Sequence, residues 1–555
     1  MSAPAGTPSS APPSAQRPAA GGVQTVRRVI TYLLLLTMVV IAAIGLSGLL
    51  ERGLDAGNLL ASSDTGGLAQ SLAFSLIAGP LAALLWWLTW RESAMERDRA
   101  SVAWPLYLVV VSTIALLTSS IALFAWGASL VVGEANASGI AVAIVWGLVW
   151  LWNYWMWRHP AKGPTRLVGV APAIASLVGL TFATGGLVFA LASLIDSALG
   201  TFGTVVASGP AWQPVVQSLF WAVGGALIWW WHWFRAGVRR QSTGFANVLL
   251  VYIAGFASFA VFAFGVTLTL SVVLRLLTLS EDPLTVTLDP LGVSIASAVF
   301  GALVLVYHLR VVAGHPVVIG KAVRLVTSGV ALAVAATGIG ITVNALLAAI
   351  ASPIVGSATV RDLLLAGISA LVVGGALWWS SWRPGRAGAA DRVATPGRRI
   401  YLVVIFGVSA LVALITLLVI GYQSFSFALD GASGGSLVER LRAALGLFAA
   451  TVLVAAYHFS LWRHDRAATV AQEVPRMIGR VTLVTSADAG EPVEAIVEAI
   501  REATGSRVTV WKRAAAVADE PDAAALVAAL DGVEAGHVLL VAGAKGTAEV
   551  IRLSD

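Results

Sequence analysis

The chain has 555 residues, 58% of them apolar and only 12% charged, with a mean hydropathy of +0.85. That composition lies outside the range of soluble globular domains. There is no cysteine, which excludes disulfides, thiolate zinc sites, iron–sulfur clusters and thiol nucleophiles. The net charge of +6 is unevenly spread: residues 1–472 carry 27 Lys/Arg against 16 Asp/Glu, and residues 473–555 carry 8 against 13.

Residues 1–26 are mostly Ala, Pro, Ser and Gly and read as a disordered cytoplasmic tail. They are not a secretory signal, because no short apolar stretch with a cleavage site follows Arg27–Arg28. Twelve apolar segments follow, each near or above the roughly 20 residues that a lipid-spanning helix needs. They are 28–50, 67–90, 103–131, 139–157, 166–194, 213–234, 246–278, 291–309, 322–350, 360–382, 399–422 and 443–462. The odd members tend to be long. Segment 246–278 must tilt, kink at glycines or project beyond the bilayer.

The even segments end in aromatics followed by an arginine, at Arg91, Arg158, Arg235, Arg310, Arg383 and Arg463. The intervals of 67, 77, 75, 73 and 80 residues exceed the common solenoid periods and fit a pair of spanning helices repeated six times. The hairpins are 27–91, 99–158, 166–235, 240–310, 321–383 and 398–463. From each landmark arginine to the basic residues opening the next hairpin there are 17 Lys/Arg in total. The loops inside hairpins hold five: Arg52, Arg275, Arg361, Arg440 and Arg442. Positive charge stays on the cytoplasmic side during insertion. Both termini and the inter-hairpin loops are therefore expected in the cytoplasm.

Seventeen of the 21 tryptophans lie in even segments, mostly near their C-terminal ends, and Trp229, Trp230, Trp231 and Trp233 are the densest cluster. One reading is an aromatic pocket for a cation or a flat ligand. The other is a cytoplasmic aromatic belt, favoured because it recurs in every hairpin. His232, His308 and His458 sit three, two and five residues before landmark arginines. Without His-x-x-x-His spacing or nearby carboxylates they read as interfacial histidines with polar tips among aromatics, not as a metal or proton path. Asp196 and Arg275 fall near the non-cytoplasmic helix ends and are expected to reach water. Asn153 and Asn344 are expected to make interhelical hydrogen bonds. Gly and Ala on the odd helices, including Gly185–Gly186, Gly338 and Gly340, predict that these helices form the inner contacts.

After a linker at 464–478, residues 479–555 read as a small soluble α/β domain. Val481–Thr485 is a strand, and helix 491–504 opens with Pro492 and stops at Gly505. Val508–Trp511 is a second strand. A helix from near Pro521 stops at Gly532, and Val538–Val541 and Val550–Leu553 flank a hairpin turn at Ala542–Thr547. The order βαβαββ predicts a mostly parallel sheet with an antiparallel last strand. Gly543-Ala544-Lys545-Gly546 lacks the spacing and the following helix of a phosphate loop and reads as a turn. Thr485 to Gly490 follows the first strand, where α/β folds often bind ligands, but turn and capping duties explain the same residues.

The repeated hairpin has an arginine before its first helix (Arg28, Arg166, Arg399) and an aromatic–arginine close to its second. It resembles the bacterial membrane repeat known as domain of unknown function 5671, over residues 25–463. The fourth hairpin departs from the pattern, since Tyr307-His308-Leu309-Arg310 has no tryptophan. The resemblance implies a multi-pass protein of the bacterial cell membrane and supplies no activity or functional residues.

The fold class read from the sequence is thus an all-α polytopic membrane protein with about twelve transmembrane helices and a small C-terminal cytoplasmic α/β domain. What it does is not legible in the same way. No catalytic, cofactor or metal site is assigned. A non-enzymatic scaffold or signalling protein is favoured by the sparse intramembrane charge, with 479–555 docking a cytoplasmic protein or a second copy. The acidic balance of that domain argues against nucleic acid and anionic lipid. A transporter or channel is the alternative, supported by helix number and internal repetition but lacking inverted repeats. An intramembrane enzyme lacks any nucleophile–base pair.

Overall fold

The computed structural model describes residues 19–56, 64–92, 99, 101–200, 210–278, 283–351, 357–382, 396–429, 436–472, 478–486, 493–515 and 521–553. Among them, twelve long helices precede a small sheet. They are α1 (Ala19–Leu54), α2 (Thr65–Ala73, a π turn Phe74–Ala78, then Gly79–Glu92), α3 (Ala103–Leu130), α4 (Ala137–Arg158), α5 (Val170–Gly200) and α6 (Trp212–Trp230, closed by a π turn Trp231–Arg235). Then come α7 (Gly244–Val251, a π turn Tyr252–Ala257, then Ser258–Leu277), α8 (Leu291–Ala313), α9 (Val317–Ala351), α10 (Ser357–Trp382), α11 (Pro396–Leu429) and α12 (Leu437–Gln472). Several starts are capped as short polar side chains predict. Asp64 accepts from Gly67 N at 3.0 Å, Asn136 from Ser138 N at 2.9 Å, and Thr243 from Ala246 N at 3.3 Å.

Among the described residues eleven helices are long and apolar enough to cross a membrane, which makes this a multi-pass membrane protein. The helix that falls short is α6. It has 19 residues before its π turn, and Trp212, Trp221, Trp229, Trp230, Gln213 and Gln217 dilute its apolar content. The long segment expected at 246–278 is accommodated by the π turn after Val251. Of the expected tail at 1–26, residues 1–18 lie outside the described residues; α1 begins at Ala19, ahead of the expected start at 28.

The chain divides into two compact units, Met1–Gly385 with Val404–Ala455, and Arg386–Val403 with Ala456–Asp555. In the first, each of the first five hairpins packs on itself and helices also meet across hairpins. Successive odd helices touch from α1 to α9, and α1 packs on α4, α3 on α6, α5 on α8 and α7 on α10. Helix α9 meets α12, where Arg442 Nη1 donates to Asn344 Oδ1 at 2.9 Å. The odd helices therefore supply the inner row, as their small residues predict.

Glycine sets the closeness of three hairpins. A Cβ on Gly186 of α5 would lie 2.3 Å from Ala222 N, and one on Gly225 of α6 would lie 2.3 Å from Ala183 N. The same reciprocity joins Gly265 to Ala298 and Gly301 to Phe262 across α7 and α8, and Gly338 to Leu371 and Gly374 to Ala335 across α9 and α10. Each pair lets two backbones touch, the close approach that small residues permit in lipid, where no hydrophobic force drives helices together. Of the expected glycines, Gly185 meets nothing within 4 Å, and Gly340 faces Gly446 of α12 instead of its own hairpin.

In the second unit, Arg398 Nε donates to Asp465 Oδ2 at 2.8 Å, and Tyr401 meets His458 edge to face. The expected linker at 464–478 is largely helical, with α12 running to Gln472. Its alanines are strong helix formers, and Asp465 is fixed by Arg398. The terminal domain contains β1 (Ile478–Ser486), α13 (Val493–Thr504), β2 (Arg507–Arg513), α14 (Ala523–Ala528), β3 (Ala535–Ala542) and β4 (Ala548–Leu553). The sheet order is β2-β1-β3-β4, with β1 parallel to β2 and β3 and β4 antiparallel to β3, as expected. Ile496 and Ile500 of α13 and Leu526 of α14 pack with Val481, Leu483, Val538 and Leu540 in one core. Gly505 (φ +65°) and Gly532 (φ +70°) follow the two helices in the left-handed conformation that glycine adopts without strain. Pro492 and the stretch from Ala487 to Gly490 lie outside the described residues.

Candidate functional site

The buried histidines of the even helices lie toward the landmark-arginine ends. His232 and His308 are 3% and 0% exposed, not interfacial tips. Their Nδ1 atoms lie 2.9 Å from Ile228 O and 2.8 Å from Val304 O. A ring nitrogen facing a carbonyl carries the proton, so Nε2 is left as the acceptor in each neutral ring. His458 is equally buried, against Tyr401 and Tyr457. Asn153, 2% exposed, follows the same rule: its Nδ2 donates to Val149 O at 2.8 Å on its own helix, and no interhelical bond forms. These side chains do not converge, and among the described residues no three His, Asp or Glu lie close enough to share a metal ion.

One cavity collects polar groups around an arginine. It has a volume of about 440 Å³ and lies where α3, α4, α5 and the end of α6 meet. Trp150, Tyr154 and Trp157 of α4 form one wall, Pro172 and Ala175 of α5 another, and His232 and Gln241 come from the α6 end. The Arg158 guanidinium stacks on Tyr154, 4.7 Å from the ring centre. Tyr154 Oη accepts from Trp231 Nε1 at 3.1 Å, which leaves its own proton to donate. Gln241 Oε1 is buried with no partner. Trp157 Nε1 donates to Val168 O at 3.1 Å and holds the wall in place. The π turn at Trp231–Arg235 directs His232 and Trp233 inward while Trp231 reaches Tyr154. The tryptophans therefore divide. Trp104, Trp146 and Trp233 are buried, whereas Trp87, Trp152, Trp155 and Trp379 are exposed as belt residues are.

The loop after Arg158 is tied to the preceding arginine-end loop and to the helices α2 and α3 that flank it. Lys162 Nζ donates to Trp90 O at 2.6 Å, Trp104 Nε1 to Lys162 O at 3.0 Å, and Arg99 Nε to Gly163 O at 3.0 Å. At the opposite ends, Arg275 was expected to reach water but is mostly enclosed and donates to Asp362 Oδ2 at 2.7 Å, joining α7 to α10. Asp196 sits against Gly292, where no Cβ would fit.

In the terminal domain, Gly543 N donates to Thr547 O at 2.7 Å, and Lys545 and Gly546 both have positive φ. The Lys545–Gly546 pair is thus a hairpin turn, as its residue order predicts. Strand register places Arg480, Arg507, His537 and Leu553 in one row, Thr482, Thr509, Leu539 and Ile551 in the next, and Val484, Trp511, Val541 and Glu549 in a third. Both described helices pack on the other face. Trp511 is 61% exposed on this face.

The model of the family described as a domain of unknown function (DUF5671) matches residues 28–150 and 321–469. Each match takes in the helices of two consecutive hairpins, α1 to α4 and α9 to α12, and residues 151–320 lie between them. No curated protein and no solved structure matches the chain.

Proposed function

For a chain that belongs to the DUF5671 family through residues 28–150 and 321–469, we propose a non-enzymatic docking role: a six-hairpin scaffold in the bacterial cell membrane, both ends cytoplasmic, that presents an α/β domain to an acidic protein surface. The observation that carries this reading is the sheet face bearing Trp511. A large aromatic beside Arg480, Arg507 and Arg513 combines the residue types enriched at interface hot spots. A second copy offers a complementary surface. Glu494, Glu498 and Glu502 are spaced by four on α13 and exposed. Glu498 pairs with Arg501 at 2.7 Å, an exposed bond weak enough to exchange. The overall acidity of residues 473–555 thus conceals a local contrast, with Arg480, Arg507 and Arg513 on the sheet face and Glu494, Glu498 and Glu502 along α13.

Solute transport has less support. The cavity holding Arg158 lies at the helix ends, and two further grooves of the bundle are lined mainly by small and aliphatic side chains. Because the chain has no cysteine, single cysteines report cleanly. Full-length Trp511→Cys and Glu498→Cys proteins, mixed in neutral lipid nanodiscs, should cross-link with a short bis-maleimide, and Arg507→Glu should abolish the product. Absence of the cross-link, together with attachment of the face to anionic vesicles, would refute protein docking.

A further inference from the structure

We propose that the cavity among α3, α4, α5 and the end of α6 binds a phosphate group, with an apolar body of the same molecule lying against its aromatic wall. Its lining contains Arg158 and no carboxylate, so its field favours an anion. Arg158 forms no ion pair with any described residue; it is held only by stacking on Tyr154, which leaves the edge of the guanidinium free to donate. A planar fork of N–H donors matches two phosphate oxygens.

Further donors surround the same space. The Tyr154 hydroxyl, already accepting from Trp231, has its proton to offer, and Gln241 lines the same cavity. His232 Nε2 is left as an acceptor in the neutral ring and can take a hydroxyl. Deeper in, Trp150, Leu116, Pro172 and Ala175 give an apolar lining suited to the first carbons of a chain or to a ring. A volume of about 440 Å³ fits a headgroup and its immediate attachment, not a whole two-chain lipid. Position favours a lipid as the source, because α4 ends in the aromatics that mark the headgroup level. A soluble phosphate ester has the same binding chemistry and differs in its route of entry. The site is independent of what the terminal domain binds.

The test uses full-length protein in neutral detergent, with native mass spectrometry to count retained phosphatidylglycerol and a parallel titration with inorganic phosphate. Wild type should hold one phosphatidylglycerol that Arg158→Gln releases, with affinity reduced about tenfold or more, as expected for loss of one charge-assisted hydrogen bond. Arg235→Gln, a landmark arginine outside the cavity, should retain the lipid. Ala171→Leu, which fills the cavity and keeps every charge, should also lose it. Saturable protection by inorganic phosphate without lipid retention, lost in the same two variants, would identify the soluble ester as the source. Equal retention by wild type, Arg158→Gln and Ala171→Leu, with no response to phosphate, would overturn the proposal.

Discussion

Two adjacent glycines in α5 should respond to the same substitution with opposite sign. An alanine at Gly185 meets nothing within 4 Å, whereas one at Gly186 would place Cβ 2.3 Å from Ala222 N and 2.8 Å from Ser218 O. Ordinary carbon contacts begin near 3.4 Å, so the α5–α6 crossing must open by about 1 Å, and both atoms in the way are backbone. Overpacking of this kind costs about 1–3 kcal/mol, and a gap of about 1 Å also forfeits up to half the dispersion energy of neighbouring contacts. Against this, Gly→Ala in a helix interior gains up to about 1 kcal/mol of propensity. The gain is common to both sites and cancels in their comparison. Gly185→Ala should be neutral or slightly stabilising, and Gly186→Ala should be less stable than Gly185→Ala by about 1–3 kcal/mol. Gly225→Ala on α6 should reproduce the loss, and the Gly186/Gly225 double variant should cost less than the sum, because the crossing opens only once. Reversible unfolding in mixed micelles, followed by tryptophan fluorescence, measures all four. Equal stability of the Gly185 and Gly186 variants would refute the close crossing.

Replacing Asp362 with Asn removes the carboxylate charge that Arg275 meets at 2.7 Å and Arg361 at 3.5 Å, and should cost about 1–3 kcal/mol in the same unfolding assay, less than for a fully buried pair because water still reaches these groups; exchanging Arg275 and Asp362 should restore part of it. Reporter fusions after Arg91, Arg158, Arg235, Arg310, Arg383 and Arg463 should all report the cytoplasm, and fusions within 52–66, 200–212 and 424–440 the outside. One consistent reversal would break the two-helix repeat.

The parts of the fold that were legible in the sequence are those written locally. Aromatic–arginine landmarks fall at the ends of α2, α4 and α6, as indole and guanidinium at an interface predict, while α12 runs on past Arg463; Gly505 and Gly532 mark stops because their backbone needs positive φ. Strand register in the terminal domain follows the alternation of Val481, Leu483, Val538 and Leu540. The missing information is pairwise. Gly225, Gly301 and Gly374 look like ordinary glycines of apolar helices until a partner backbone lies against them. His232 and His308 were placed at the helix ends among aromatics but as interfacial tips and not as buried groups, since their distance from an arginine does not reveal which helix will cover them. Likewise, the cavity could not be read from its residues, because Arg158, His232 and Gln241 come together only through the π turn and the loop that follows. The net charge of the terminal domain was correct as a sum and misleading as a guide to its surface, because Arg480, Arg507 and Arg513 share one sheet face while Glu494, Glu498 and Glu502 lie along α13.

The stitching of each odd helix to the even helix of the next hairpin has a consequence for biogenesis. A ribosome delivers these hairpins in order, so α1 must wait for α4, α3 for α6, α5 for α8, α7 for α10 and α9 for α12. Every newly inserted pair completes the burial of the one before it while leaving its own odd helix half covered. Maturation thus advances as a travelling front one hairpin behind synthesis, and a chain arrested after any hairpin exposes the unpaired flank of its last odd helix to membrane quality control.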